Sequence, residues 1–303
     1  MFIITPSRMH IMKLAQGLLL SLVFASMAGA NEVTLSWQWQ SADGQQKHLL
    51  LNTDERVISA SRHEMSLLDA SLNYPLETLY SYISPRLYNS INLINQTSPE
   101  TATKFRNLEQ AFTLHDDSME STLFWQAYQQ YQDDAFYQMR VVPCVHPANR
   151  KLPCVRPNYS QLFYQFKGDL RPLAKQFLAK DLATSVGLLQ EWLSAIPTPP
   201  EQMDHFAPPL QALQSNKADS DEKALLMASL LAELAPQYML SIIYPNISIG
   251  SVSPAWLAIT ADSGLKGDTV VIGNQRHVLL TGSPLLAQQM TMAKIPLVSE
   301  PLY

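Results

Sequence analysis

Residues 206–234 read FAPPLQALQSNKADSDEKALLMASLLAEL, a polar loop that turns into an unbroken apolar run. Leu225, Leu226, Met227, Leu230, Leu231 and Leu234 cover nearly every side of a helix drawn at 3.6 residues per turn. A helix apolar all round is a buried helix. Asp219, with Glu222 three residues later, spells a capping box, and its acids sit at the positive end of the helix dipole. The chain is therefore expected to present one small polar side chain, Ser220, at the N-terminus of a buried central helix. A thiol in that place would be activated as a nucleophile. A serine there reads first as a cap for the backbone N–H groups.

Working outward, the region after this helix offers four short strand patterns: Tyr238–Tyr244, Ala255–Thr260, Thr269–Ile272 and His277–Leu280. Asn246–Gly250 and Gly264–Gly267 supply turns between them. One buried helix against an antiparallel sheet is an α+β layer architecture. The tail after Gln288 shows no strong pattern. Before the helix, YSQLFYQF (159–166) reads as a strand, and KQFLAKDL and ATSVGLLQEWL read as helices. The run Ile196-Pro197-Thr198-Pro199-Pro200 ends the last of them.

Several features together resemble the bacterial transglutaminase-like, papain-like domains: Phe206, Pro208, Leu213, the Ala218-Asp219-Ser220-Asp221-Glu222-Lys223-Ala224-Leu225-Leu226 run, and the strands that follow. The resemblance spans residues 160–285 and implies a papain-like core. It places the family's nucleophilic cysteine on Ser220, its histidine on Ser253 or Pro254, and its acid on Leu280 or Thr281. None of these carries the family's residue. The resemblance thus implies a degenerate member whose catalytic positions hold Ser220, Pro254 and Thr281, with no catalytic residues expected. Its old cleft becomes a place to bind, with Asp219, Ser220, Asp221 and Trp256 as candidates.

Three other chemistries are open to these residues. A Ser–His pair could use His277. Ser220 and Lys223 match an S-x-x-K spacing, one helical turn apart, but no S-D-N or K-T-G follows. Asp219 and Asp221 could share a proton or a cation, although the helix dipole already explains two acids there.

The N-terminal half is expected to be a β-hairpin and a helical region. VTLSWQWQ alternates, with Val33, Leu35, Trp37 and Trp39 on one face, and Ala42-Asp43-Gly44 makes the turn. The Trp pair reads as a packed sheet face. Some transglutaminase-like proteins open with a similar strand pair. Residues 58–136 carry helical spacings in LETLYSYI, TATKFRNLEQAFTL and STLFWQAYQQYQDDAF, punctuated by Pro75, Pro85 and Pro99. His115-Asp116-Asp117 reads as a solvated loop.

Cys144 and Cys154 are the two cysteines of the chain, ten residues apart among Pro143, Pro147, Pro153 and Pro157. In an exported chain this spacing reads as one local disulfide, contributing roughly 3 kcal/mol in the chain-entropy model. A metal site of Cys144, His146 and Cys154 would lack a fourth ligand. A redox site would favour C-x-x-C.

Lys13, the apolar run 18–27 and Ala28-Gly29-Ala30 spell a signal peptide over residues 1–30, with cleavage before Asn31 and Met1 or Met12 as the start. The expected organisation is a signal peptide over 1–30, a hairpin and helical region over 31–158, and the degenerate domain over 159–303. At 303 residues, 16% charged and 47% hydrophobic, the composition is that of a globular protein. Its net charge of −5, with no Lys/Arg cluster, gives nucleic acid no footprint. The sequence thus anticipates a periplasmic protein without cofactor, metal or later transmembrane segment. It would bind a protein or peptide partner. A Ser220-dependent hydrolase or amidase and a structural subunit of an envelope assembly are the alternatives.

Overall fold

The computed structural model describes residues 32–41, 43–68, 76–102, 104–144, 153–199, 206–245, 255–272, 274–281 and 296–302. The expected signal peptide, His146, the turn at Asn246–Gly250 and the positions Ser253 and Pro254 lie outside them.

Strands β1 (Glu32–Gln40) and β2 (Gln46–Asp54) form an antiparallel hairpin, with Gln40 facing Gln46 across the turn. Gly44 adopts φ +81° there, a conformation glycine takes without a Cβ penalty. The alternation works as the sequence suggests. Trp37 is buried edge-on against Trp192, with ring centroids 5.8 Å apart, and the Trp39 indole N–H donates to Glu191 Oε1 at 2.9 Å. Both tryptophans are thus tied to the body of the protein.

Helices α1 (Glu55–Leu68), α2 (Leu76–Thr97), α3 (Leu108–Thr113) and α4 (Met119–Gln138) follow. Helix α2 runs through Pro85, which therefore does not punctuate it. A proline there removes a backbone donor, and nearby side chains take up carbonyls: Ser84 Oγ bonds Tyr80 O and Arg86 Nη1 bonds Tyr82 O, both at 2.7 Å. The TATKFRNLEQAFTL segment is helical only over α3, because Asn107 caps it by accepting from Gln110 N. His115 stacks on Trp125 at 4.8 Å.

Strands β3 (Val141–Pro143) and β4 (Val155–Pro157) form a second small hairpin. Cys144 and Cys154 are disulfide-bonded just beyond its Pro143–Val155 pair, on the side where the chain connects the two strands, with Cα atoms 5.1 Å apart.

The strand expected over YSQLFYQF is instead helix α5 (Tyr159–Phe166). Asn158 caps it by accepting from Gln161 N, and Tyr159, Leu162, Phe163 and Phe166 bury at i, i+3, i+4 and i+7. The aromatic content suggested a strand, but the spacing is helical. Helix α6 (Arg171–Ala174) and a 3₁₀ turn over Lys175–Phe177 come next. KQFLAKDL is otherwise extended, because Asp181 caps a fresh helix, α7 (Leu182–Ala195), by accepting from Thr184 N. Helix α8 (Pro209–Ser215) leads into the central helix α9 (Ser220–Leu234).

Five strands then form one antiparallel sheet: β5 (Leu240–Pro245), β6 (Trp256–Thr260), β7 (Thr269–Ile272), β8 (Gln275–Leu279) and β9 (Leu297–Leu302), in the order β7-β8-β6-β5-β9. The architecture is α+β. Strand β9 lies in the tail that showed no pattern. It pairs along β5 from Leu240–Leu302 to Pro245–Leu297, and its Pro301 is tolerated because the strand is an edge.

Helix α9 packs on one face of this sheet. Leu225, Leu226, Met227, Leu230 and Leu231 are fully buried there, in one core with Ile242, Leu257 and Ile259. Burying a leucine side chain in this way stabilises by about 1.5–3 kcal/mol. The same core runs from Trp37 in the hairpin to Leu302 in β9, so it includes residues from both sides of position 158.

Candidate functional site

The N-terminus of α9 is where the sequence directs attention. Asp219 is the N-cap, with extended backbone, and its side chain accepts from Glu222 N while Glu222 Oε2 accepts from Asp219 N at 2.9 Å. The capping box is complete. Glu222 Oε1 also accepts from Ala207 N, which pins the loop ahead of α8. Ser220 is therefore not the cap, as the sequence had suggested. It is the first residue of the helix, where its backbone already has helical geometry and the capping position is one residue earlier. Its Oγ is buried and has no hydrogen-bond partner.

Asp221 is held from a distance in sequence. The Tyr159 hydroxyl, at the start of α5, donates to Asp221 Oδ2 at 2.9 Å. Around that bond stands a polar cluster that sequence reasoning missed entirely. Arg156 on β4 pairs with Glu300 on β9 at 2.8 Å, and its guanidinium lies 4.5 Å from the centre of the Tyr244 ring. The Tyr244 hydroxyl donates to Glu300 Oε2 at 3.3 Å. Ser160 donates from its N–H to Glu300 Oε1 at 3.3 Å and from Oγ to Pro301 O at 2.9 Å.

Burial and the neighbouring acids control the charges here. Asp221 is pushed well above the usual carboxylate range, first by burial and then by its hydrogen bond and proximity to Asp219. Glu222 is raised to about 7 by burial and then by Asp219, against the two backbone N–H bonds that favour its ionised form. Burial also raises Tyr159 well above its ordinary value and lifts Tyr244 to about 12.

The other candidate residues do not converge on Ser220. Lys223 turns away to the loop after α7, donating to Ile196 O and Thr198 Oγ1 at 2.8 Å each, and burial lowers its pKa. Trp256 and His277 belong to the other face of the sheet. Side chains alternate along a strand, so Leu257 and Ile259 face α9 while Trp256 and Ala258 form a smaller core with Ile243, Val270 and Leu279. His277 faces Thr260 and Val270 on that same outer side, buried, with Nδ1 unpartnered and its pKa lowered by burial. Thr281 uses its Oγ1 to accept from Leu257 N at 2.8 Å. It also lines a cleft of about 450 Å³ between α7, the loop ahead of β7 and the end of β8, with Ala183, Gln190, Lys266 and Leu280.

Among the described residues, no group of three His, Cys, Asp or Glu side chains is placed to hold a metal ion, and no helix is long and apolar enough to cross a membrane. Comparison of the chain with protein-family models, with curated proteins and with solved structures finds no match.

Proposed function

We propose that this chain is an exported, non-catalytic binding or scaffold module of the cell envelope, built on a degenerate transglutaminase-like core and acting on a protein or peptide partner. The observation that carries this reading is the state of the α9 N-terminus. Ser220 Oγ has no partner, and the groups beside it are engaged elsewhere: Asp221 with Tyr159, Glu222 with Asp219 and Ala207, Lys223 with Ile196 and Thr198. Nucleophilic catalysis by serine needs a base that holds its proton and a third group that orients the base. Here the surroundings are organised to hold the helix end in place. The capped, buried helix against an antiparallel sheet supports the family likeness, and the Cys144–Cys154 bond supports an oxidising compartment.

The test is a complementation assay in the source organism beside a pull-down from envelope extracts. Ser220→Ala should complement fully and retain the wild-type partners. A stable Ser220→Ala protein that fails to complement would replace this reading with the serine hydrolase.

A further inference from the structure

Strand β1 is paired along one edge only. Its nine residues lie one opposite one against β2, with no bulge, and among the described residues no third strand joins that sheet. The parity of the ladder shows which backbone groups are left over. At the turn Ser41 N donates to Gln45 O. On the far side of β2, Leu50 N donates to Gln176 Oε1 and Gln176 Nε2 donates to Leu50 O. Leu50 therefore faces away from β1, and its partner Ser36 faces away from β2. In an antiparallel pair such residues alternate with those that bond across the ladder. Thr34, Ser36 and Gln38 thus turn both N–H and C=O to the open edge of β1. Among the described residues no backbone bond reaches them there.

The other edges of the fold are guarded. The Gln176 amide occupies the middle of the β2 edge, β9 carries Pro301 in its edge, and β7 is only four residues long. Exposed edges normally carry such devices, or lysines, because unpaired backbone recruits another strand. Strand β1 reads EVTLSWQWQ, with no proline, no lysine or arginine, and a single charge, Glu32, at its end. A long, regular edge left open in this way is a template for a further strand.

The strand that fits it is β1 itself. Two copies run antiparallel about a two-fold axis at Ser36 pair along their whole length. Ser36 meets Ser36 of the copy, Thr34 meets Gln38 and Glu32 meets Gln40, so each free N–H faces a free C=O. On the exposed face every polar side chain lies opposite a polar one, and no like charges meet. On the face towards α7, Leu35 falls opposite Trp37 and Val33 opposite Trp39, apolar against apolar. Val33, Leu35 and Trp39 are only half-buried in the single chain, so the copy covers apolar surface that one chain leaves in water. A contact of this isologous kind closes at two copies. We propose that the protein is a homodimer joined edge to edge through β1, its two hairpins forming one four-stranded sheet. This interface goes beyond the partner proposed above and is independent of it.

The test is the mass of the full chain in solution, by light scattering and sedimentation over a range of concentrations, beside hydrogen exchange. The wild type should be a dimer, with the Thr34, Ser36 and Gln38 amides protected although they donate to nothing within their own chain. Ser36→Pro leaves the β1–β2 ladder intact, because the Ser36 N–H takes no part in it, and should weaken dimerisation by about tenfold or more. Thr34→Lys with Gln38→Lys sets like charges against each other across the axis and should give a monomer. Thr34→Lys with Gln38→Glu sets opposite charges there and should still dimerise. The two double variants change the same exposed positions, so their comparison holds even if Ser36→Pro folds poorly. A wild type that stays monomeric, a dimer with those three amides unprotected, or equal association of the two double variants would overturn the proposal. So would a monomer whose β1 amides become protected only when a pool of synthetic extended peptides is added, which would make the edge a peptide site.

Discussion

The Tyr159 hydroxyl and the Asp221 carboxylate meet at 2.9 Å across 62 residues of chain, joining the first turn of α5 to the first turn of α9. Tyr159 is buried and Asp221 half-buried, so solvent replaces this bond poorly. Tyr159→Phe keeps the ring and deletes only the donor, leaving a half-buried carboxyl short of a bond. It should destabilise the protein by about 1–3 kcal/mol, read as a lower urea midpoint at unchanged slope. Pairing it with Asp221→Asn in a double-mutant cycle should return a coupling of about 0.5–3 kcal/mol. A coupling near zero would mean the contact does not hold the helix end.

Glu222 makes stability depend on pH in an unusual direction. Its folded pKa of about 7 lies above the ordinary 4.5, so the folded state holds the proton more tightly than the unfolded chain. Stability from this group is present below about pH 4.5 and is lost as pH rises through 7, and Asp221 shifts in the same direction. For Glu222 alone the change amounts to up to roughly 3 kcal/mol. Chemical unfolding at pH 5 and pH 8 should show the protein more stable at pH 5. Glu222→Gln should flatten that difference; an unchanged pH profile would assign it elsewhere.

Three substitutions in α9 separate cap, hydroxyl and core. Asp219→Ala removes the N-cap and should cost about 0.5–2 kcal/mol. Ser220→Ala removes a buried hydroxyl that bonds nothing and installs a better helix former, so its effect should lie within about 0.5 kcal/mol of zero. Leu226→Ala opens a cavity against the sheet and should cost about 2–5 kcal/mol. Thermal melts of the three in parallel give the order. A Ser220→Ala loss as large as that of Asp219→Ala would show that the hydroxyl has a partner after all.

Cys144 and Cys154 should be fully oxidised in the protein isolated without reductant. Alkylation of unfolded, unreduced chain should add no mass. The double change to alanine should lower stability by up to roughly 3 kcal/mol and leave the fold in place, with the β3–β4 hairpin the first region to lose hydrogen-exchange protection.

How much of this was legible in the sequence depends on how local the signal is. Helix α9 was legible because both its burial and its capping box are written within one stretch, D-x-x-E followed by leucines on all sides. The hairpin and the disulfide were legible for the same reason. Helix α5 was misread because Tyr159, Phe163, Tyr164 and Phe166 weigh towards strand by type, while the cap at Asn158 and the spacing of the buried side chains weigh towards helix. Strand β9 was invisible because five of its six residues are only half-buried and one is proline, so it has neither alternation nor an apolar run. The Arg156–Glu300–Tyr244 cluster was invisible because no local pattern joins residues on three separate strands. Ser220 was assigned the cap because Asp219 and Ser220 are both good capping residues, and only the backbone angles decide between neighbours.

The position of β9 also sets a timetable. Ser160 and its partner Glu300 are 140 residues apart, and Trp39 and Glu191 are 152 apart. A chain that emerges N-terminus first presents Ser160 and Arg156 well before the strand that receives them. Once β5 (Leu240–Pro245) has emerged, and until β9 (Leu297–Leu302) follows it, the edge of β5 offers its unpaired backbone to any other extended segment. A nascent chain held open in this way is a natural client for a holding chaperone, and shortening the protein by its last strand would make that exposure permanent.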